Sequence, residues 1–564
     1  MRVSRALLGL WAVALLLALA GLGNLPLRDW DEGIVARVAF EISQASWPDT
    51  LLPTFWGSTY LNKPPGLHWL IAGVIQLWQG LGGGASARPP DWVIRLAPAL
   101  VSSLLVPLIG AIQLRLRPRQ PLAAVGAAAI ALTLMPLARH GRLAMLDGAQ
   151  LSAMALLWLG LLLATPRPRR ALAGGLIAGA AGSALLLLKA PVVLPVLATG
   201  LVLRWLDRDL DRQAWMRLAL GLALGLSVGL AWHGWHGLQR GEEALLMWGG
   251  QGLLRFTSTV EEHHGSPLEP LLEVLEGGWP WLPLWPIGLG LAWGERRHQA
   301  GRWSLGLTLA ASLTVLPMKT QLPWYSLLLW PPFCLICGPV LARLVDSGPR
   351  PRGLLGRLPW FWALLGGVLL LAFLLASLPI PWLVGQDPWL SSARWLPLPA
   401  GLGLLLGGIN LVRQSPARRR LGLGLLLLGW CTSLLLFFLS PFWNWELNET
   451  SSVLPPAELA RQAGKPGAAG DLPIHMPERQ GQRPSLRWYA EQEIFNLPDS
   501  PGDHWPSRFR VLLRRGDGHG TVEPGNPGRL RLQDSTCDLE ALGDDNWQRW
   551  LCEGPAKDPA NPAR

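Results

Sequence analysis

Lysine is nearly absent from this chain: five lysines stand against 44 arginines in 564 residues. Cysteine is equally scarce, and the one Cys-x-x-Cys pair, Cys334 and Cys337, has no second pair with which to enclose a zinc ion. Charged residues make up only 15% of the sequence against 50% hydrophobic, and the mean hydropathy is +0.27. That balance excludes a fully water-solvated surface. No P-loop, dinucleotide fingerprint, HExxH or GxSxG context appears. The formal charge of +11 could point to nucleic acid, but the arginines fall in short clusters between apolar runs. That is the positive-inside pattern of a membrane protein, and no nucleic-acid partner is expected.

Apolar runs dominate what is present. Segments such as Ala6–Leu22 and Leu421–Leu439 approach or reach the roughly 20 residues that cross a bilayer as a helix. Thirty-two tryptophans suit the two membrane interfaces. The N-terminus, with Arg2, Arg5, an apolar core and Ala18-Leu19-Ala20, imitates a signal peptide; an uncleaved first helix is the reading that fits the many spans after it. Placing the Arg115, Arg167, Arg204, Arg296, Arg350 and Arg418 clusters in the cytoplasm with the N-terminus pairs the apolar runs into about thirteen spans. Leu67–Trp78 is too short to span and reads as a helix lying in the outer interface, and Ile34–Ile42 reads as another. The expected architecture is mainly α: a polytopic transmembrane helical bundle over residues 1–440, whose first outer loop covers 26–92, followed by a small α/β soluble domain over 441–564. Alternation at Phe509–Leu513 and Arg529–Leu532 supports strands in that tail. Cys537 and Cys552 there are either a disulfide or two buried thiols.

With this threading, the unusual polar residues gather on the outer side. Three of the five lysines, Lys63, Lys189 and Lys319, adjoin proline-containing breaks between apolar segments. A lysine ammonium is a compact charge suited to a phosphate, and three on one rim suggest an anion site; chance placement in loops is the alternative. Asp31, beside Asp29 and Glu32 after the first span, is either a general base at an apolar mouth or a solvated helix start. Asp147 opens an apolar helix and is a functional carboxylate, an N-cap or both, with Arg139 and Arg142 close enough to pair with it or bind an anion. Arg255-Phe256 and the adjacent His263-His264 occupy a long outer loop; two neighbouring histidines are weak metal ligands. Tyr325 starts a span and is either an interfacial anchor or a hydroxyl donor.

Asp31-Glu32-Gly33-Ile34-Val35-Ala36-Arg37, followed by Tyr60-Leu61-Asn62-Lys63-Pro64-Pro65-Gly66-Leu67-His68-Trp69-Leu70, resembles the first outer loop of the GT-C glycosyltransferases. The aminoarabinose (lipid A) transferase branch, related to protein O-mannosyltransferases, is the nearest likeness. Arg142 to Asp147, Arg255-Phe256, and Lys319 to Tyr325 before Pro331 agree in order. The resemblance covers about residues 1–440. It implies a sugar donor carried on a polyprenyl phosphate and transfer on the periplasmic face of the bacterial inner membrane. It assigns Lys63, Arg255, Tyr325 and Lys319 to the donor phosphate and Asp31 and Asp147 to catalysis. Glu32, Arg142 and His264 are possible auxiliaries. The branch usually has a Glu before the first-loop Lys and a His before the later Arg, both for a metal; Asn62 and Trp248-Gly249-Gly250-Gln251 stand there. No metal site is therefore assigned, no cofactor is certain, and a divalent metal stays an open alternative.

The expected activity is transfer of a sugar to an envelope acceptor: a glycolipid, polysaccharide or protein. A transporter or flippase of the same lipid-linked sugar is the alternative, although no internal repeat with matching broken helices is present. A non-catalytic scaffold whose tail binds a partner is the third reading.

Overall fold

The apolar runs fold as helices in a computed structural model that describes residues 3–84, 87–249, 254–258, 266–346, 348, 351–378, 393–444, 452–464, 472–477, 483–497, 507–516, 518, 521–523, 526–532 and 535–553. Contacts divide the chain into two units. One holds Met1–Asn24, Tyr60–Val74 and Arg95–Trp443; the other holds Leu25–Thr59, Ile75–Ile94 and Asn444–Arg564.

Among the described residues, seven helical stretches are long and apolar enough to cross a membrane: Asp91–Leu116, Leu146–Leu163, Pro168–Asp207, Arg212–Met247, Pro323–Asp346, Gly353–Ser377 and Pro416–Leu439. Val3–Leu19, Pro121–Thr133 and Pro397–Leu411 are shorter apolar helices. The chain is a multi-pass membrane protein. Pro168–Asp207 is not one rod. It breaks at Lys189, where the backbone leaves the helical region (φ −151°, ψ 81°), and resumes through the 3-10 turn Ala190–Val192 into the helix Val193–Asp207. Pro191 gives the reason: it has no N–H for the Leu187 carbonyl, and its ring would clash with that carbonyl in a continuous helix.

The helix Pro168–Lys189 is held in place by close backbone approach. Gly175 and Gly179 pack on the backbone of Arg212–Arg240, whose Gly221 and Gly225 pack back. A Cβ on Gly225 would come within 2.5 Å of the Ala180 nitrogen. Paired small-x-x-x-small patterns permit this approach between membrane helices. The Ser183 hydroxyl, one turn further on, donates to the Gly225 carbonyl at 2.7 Å and accepts from the Gly229 N–H at 2.9 Å.

Several arginines of the cytoplasm-assigned clusters are buried ties. Arg204 donates to the Ala164 carbonyl at 2.9 Å and to Asp207 at 3.1 Å. Asp207 in turn accepts from Arg302, Gln299 and the Trp303 indole. Arg419 donates to the Val345 carbonyl at 3.2 Å and the Gln414 carbonyl at 2.7 Å. Carbonyl and carboxylate partners thus offset the burial of both guanidiniums.

In the second unit, the expected amphipathic helix is Glu32–Gln44, which buries Val35, Ala36, Val38, Ala39 and Ile42. Strands β1 (Thr54–Phe55) and β2 (Ser58–Thr59) form a hairpin with Trp56 (φ 54°) and Gly57 (φ 75°) at its turn. Two left-handed residues match a two-residue hairpin loop. The Glu41 carboxylate closes it, accepting from the Trp56 N–H at 2.8 Å.

The C-terminal region is a seven-stranded sheet in the order β4-β3-β5-β9-β8-β7-β6. The strands are β3 (Ile474–Met476), β4 (Phe495–Asn496), β5 (Arg508–Arg514), β6 (Thr521–Glu523), β7 (Asn526–Leu532), β8 (Ser535–Leu542) and β9 (Trp547–Glu553). β3 runs parallel to β4 and β5, and the other pairs are antiparallel. The alternating stretches Phe509–Leu513 and Arg529–Leu532 lie in β5 and β7. Phe509, Val511, Leu530, Leu532 and Trp550 bury one face. Cys537 and Cys552 oppose each other on β8 and β9 and form a disulfide. The helices Leu454–Gln462 and Pro484–Ala490 complete the region.

Candidate active site

Four segments of the first unit bring their polar side chains together. Asp147 lies in the first turn of the helix Leu146–Leu163, whose N-cap is Met145, so the carboxylate is not the cap. Lys189 ends the helix Pro168–Lys189. Its ammonium meets the Asp147 carboxylate at 3.3 Å and lies 5.1 Å from the centre of the Tyr325 ring. Arg255, on the short helix Leu254–Thr257, donates from Nη1 to the Tyr325 hydroxyl at 2.6 Å. Tyr325 therefore joins two cations, one at its face and one at its oxygen. Asp147, Lys189, Arg255 and Tyr325 are all largely shielded from solvent.

The backbone fixes this arrangement. The Arg255 carbonyl accepts from the Lys319 N–H at 3.0 Å and the Thr320 N–H at 3.2 Å. The Thr320 hydroxyl donates to the Ser258 carbonyl at 3.0 Å. Gln321 donates to the carbonyls of Val315 and Met318, which turns the chain into the 3-10 segment Pro323–Leu329 that carries Tyr325. Val315, Leu322 and Tyr325 pack together beneath. Lys319 reaches the site through its backbone, and its side chain is exposed.

Lys63 is half-buried in the same unit. Three residues on, Gly66 lies against Leu187: a Cβ there would meet the Leu187 carbonyl at 2.7 Å. That contact sets the Lys63-Pro64-Pro65 loop beside the helix end that carries Lys189. An aromatic cluster backs the same end. Trp69 meets Trp232 edge-on at 6.2 Å, and Trp232 stacks on His236 at 4.7 Å. His233 Nε2–H donates to the Leu186 carbonyl at 3.0 Å and its Nδ1 accepts from the Trp248 indole, the tautomer those two partners require.

The remaining sequence-derived residues take other places. Arg142 donates to the Ala20 carbonyl at the end of the first helix and lies over the rings of Phe438 (4.4 Å) and Trp443 (4.6 Å). Asp31 and Glu32 belong to the second unit. Asp31 is half-buried; Glu32 is fully buried, and its carboxylate accepts from the Arg28 N–H at 2.9 Å. His264 lies outside the described residues. Among the described residues no group of three or more His, Cys, Asp or Glu side chains is gathered for a metal. In sequence Lys189 is one of three lysines that suggest an anion site; the structure adds its partner, Asp147.

Two ammonium or guanidinium groups, one carboxylate and a phenol make a cluster with net positive charge. Such a set can hold a phosphate through charge-assisted hydrogen bonds and leaves a carboxylate beside it for proton transfer or orientation.

No protein-family model matches the sequence, and no curated protein matches it. Two crystal structures of ArnT from Cupriavidus metallidurans, one bound to undecaprenyl phosphate and one in the apo state, match with a TM-score of 0.69 and 18% sequence identity, covering 96% of this chain and 97% of that chain. The archaeal oligosaccharyltransferase AglB from Archaeoglobus fulgidus, in complex with an inhibitory peptide and a dolichol-phosphate, matches with a TM-score of 0.47 and 11% identity over 86% of this chain and 64% of that chain, too slight a likeness to argue from. A mainly helical membrane fold is found, as expected, and nearly the whole chain shares the fold of ArnT.

Proposed function

We propose that the protein transfers a sugar from a polyprenyl-phosphate donor to an envelope acceptor on the periplasmic face of the inner membrane. The observation that carries this reading is the joining of Arg255, Tyr325, Lys189 and Asp147 into one cluster. The solved ArnT that shares the fold is bound to undecaprenyl phosphate, a ligand of the same chemical class. About thirteen spans, a cytoplasmic N-terminus and a periplasmic tail follow from the arginine clusters.

In this mechanism the polyprenyl tail lies among the apolar helices and its phosphate reaches the outer rim. Arg255 and Lys189, with Lys63, hold the phosphate oxygens and stabilise the charge that grows as the sugar C1–O bond breaks, while the backbone of Lys319 fixes Arg255. Tyr325 accepts from Arg255, and a phenol that accepts keeps an O–H to give to a phosphate oxygen. The acceptor oxygen forms the new C1–O bond from the opposite face, with inversion. Where the acceptor is a hydroxyl, its proton passes to a carboxylate, for which Asp31 and Asp147 are the candidates. Where it is an ionised phosphate, the carboxylates only orient it. The leaving group is the polyprenyl phosphate.

The test is transfer from a radiolabelled polyprenyl-phosphate sugar by the purified full-length protein, with Lys63→Ala and Asp31→Asn alongside. Loss of transfer in both variants supports the reading, and full activity in both refutes it. Transport without bond exchange would appear as movement of intact donor across a vesicle with no labelled product.

A further inference from the structure

The acidic turn before the helix Glu32–Gln44 is assembled from two distant parts of the second unit. The Asp29 carboxylate accepts from Arg483 Nε–H and from the Ser485 hydroxyl. The Tyr489 hydroxyl accepts from the Leu27 N–H at 2.6 Å and donates to the Asp91 carboxylate at 2.8 Å. Within the turn, the Gly33 N–H donates to the Arg28 carbonyl at 3.0 Å and the Asp31 N–H to the Asp29 carbonyl at 2.6 Å. Gly33 is pressed against the start of the helix Pro484–Ala490: a Cβ would stand 2.5 Å from the Ser485 nitrogen and 2.8 Å from the Pro484 carbonyl carbon.

Trp30, at the centre of the turn, has φ 59°. A large L-residue adopts this left-handed conformation only where its surroundings over-determine it. Trp30 is itself half-exposed, so packing of its ring does not hold it there. What holds it are the residues on either side. Leu27 and Asp29 are anchored by Tyr489, Arg483 and Ser485, and Gly33 is pinned by the Ser485 backbone. Asp29 and Arg483 are both buried, and removing one partner of such a pair leaves the other charge uncompensated.

We propose that residues 483–489 of the C-terminal region are a positioning element for Asp31, locking Leu27–Gly33 in the turn that carries this carboxylate. The assignment rests on reading Asp31 as the acceptor-side carboxylate. Arg483, Ser485 and Tyr489 act through Asp31 and touch neither donor nor acceptor in this scheme. The C-terminal region thereby gains a function: it sets the direction of a carboxylate that precedes it by about 450 residues of chain.

The experiment uses the full-length protein in nanodiscs, comparing wild type with Arg483→Gln/Ser485→Ala. Two quantities are read: hydrogen exchange of amides 27–33, which needs no activity, and transfer kinetics against pH. The double variant should exchange faster in 27–33 and lose kcat by about 100-fold, the cost of a misplaced catalytic group, with donor KM within about twofold of wild type. The acidic limb of its pH–rate profile should move. Adding Trp30→Gly, which adopts the left-handed turn without penalty, should recover part of the lost kcat. Arg483→Lys with the native serine should fall between. An active wild type whose double variant keeps its kcat and pH profile overturns the proposal, as does unchanged exchange in 27–33. A wild type inactive with every polyprenyl-phosphate sugar overturns the transferase reading instead, and faster exchange in the double variant then upholds the clamp on its own.

Discussion

Lys189 and Asp147 face each other at 3.3 Å, one at the end of the helix Pro168–Lys189 and the other in the first turn of Leu146–Leu163. The pair holds a cation beside Tyr325 and Arg255 before any donor arrives. Its two halves should fail differently. Lys189→Ala removes a phosphate-side charge and is expected to raise the donor KM about tenfold or more, the worth of a charge-assisted hydrogen bond. Asp147→Asn keeps the cation and is expected to leave the donor KM unchanged or lower while kcat falls. Initial rates at varied donor concentration separate the two.

Tyr325→Phe removes the oxygen that accepts from Arg255 at 2.6 Å and keeps the ring beneath Lys189. A hydrogen bond to a charged group is worth about 1.5–3 kcal/mol, so a loss of roughly 10- to 100-fold in kcat/KM is expected. Tyr325→Leu, which also removes the ring face, should cost more. Steady-state kinetics on both variants checks the order.

His475 sits in β3 between the rings of Phe495 and Phe509. Burial pushes its imidazole below the ordinary 6.5, with bonds to the Pro473 and Arg510 backbone opposing. The unfolded chain then binds the proton more readily than the folded one. Stability is whole above pH 6.5 and is lost as pH falls from there through the folded value. Melting of the full-length protein should show this acid slope, and His475→Phe should flatten it.

The Cys537–Cys552 disulfide closes a loop with a sequence separation of 15. Loop-closure entropy for a loop of that size is about 3 kcal/mol, so Cys537→Ser/Cys552→Ser should lower the unfolding free energy by roughly that amount. Reduction with dithiothreitol should have the same effect on wild type and none on the double variant.

Much of this architecture is written locally. Hydropathy and the arginine clusters mark the helices, and proline and the rare lysine mark the break at Lys189, because each depends only on neighbours in sequence. The alternation in β5 and β7 is local too. The pairings are not. Arg255 and Tyr325 are 70 residues apart, and Asp29 and Arg483 are 454 apart. Arg142 reads in sequence as a possible anion ligand, yet its guanidinium lies over Phe438 and Trp443 and donates to the Ala20 carbonyl. Arg204 and Arg419 look like ordinary positive-inside charges and are buried ties between helices. Trp30 gives no sign of its left-handed backbone, since neither glycine nor asparagine stands there. Tyrosine is a quieter signal. The chain has only three, and two of them, Tyr325 and Tyr489, hold the two polar assemblies described above.

The most direct test of the central claim is the rate at which the purified protein in proteoliposomes moves label from a polyprenyl-phosphate sugar to an envelope-lipid acceptor, in wild type and in Arg255→Ala. Labelled acceptor and free polyprenyl phosphate should appear together in wild type. The variant, which stays folded by its melting curve, should be slowed about 100-fold or more, as when a positioned donor to developing negative charge is removed. Equal rates in the two proteins, or labelled donor recovered intact from both, would contradict the account.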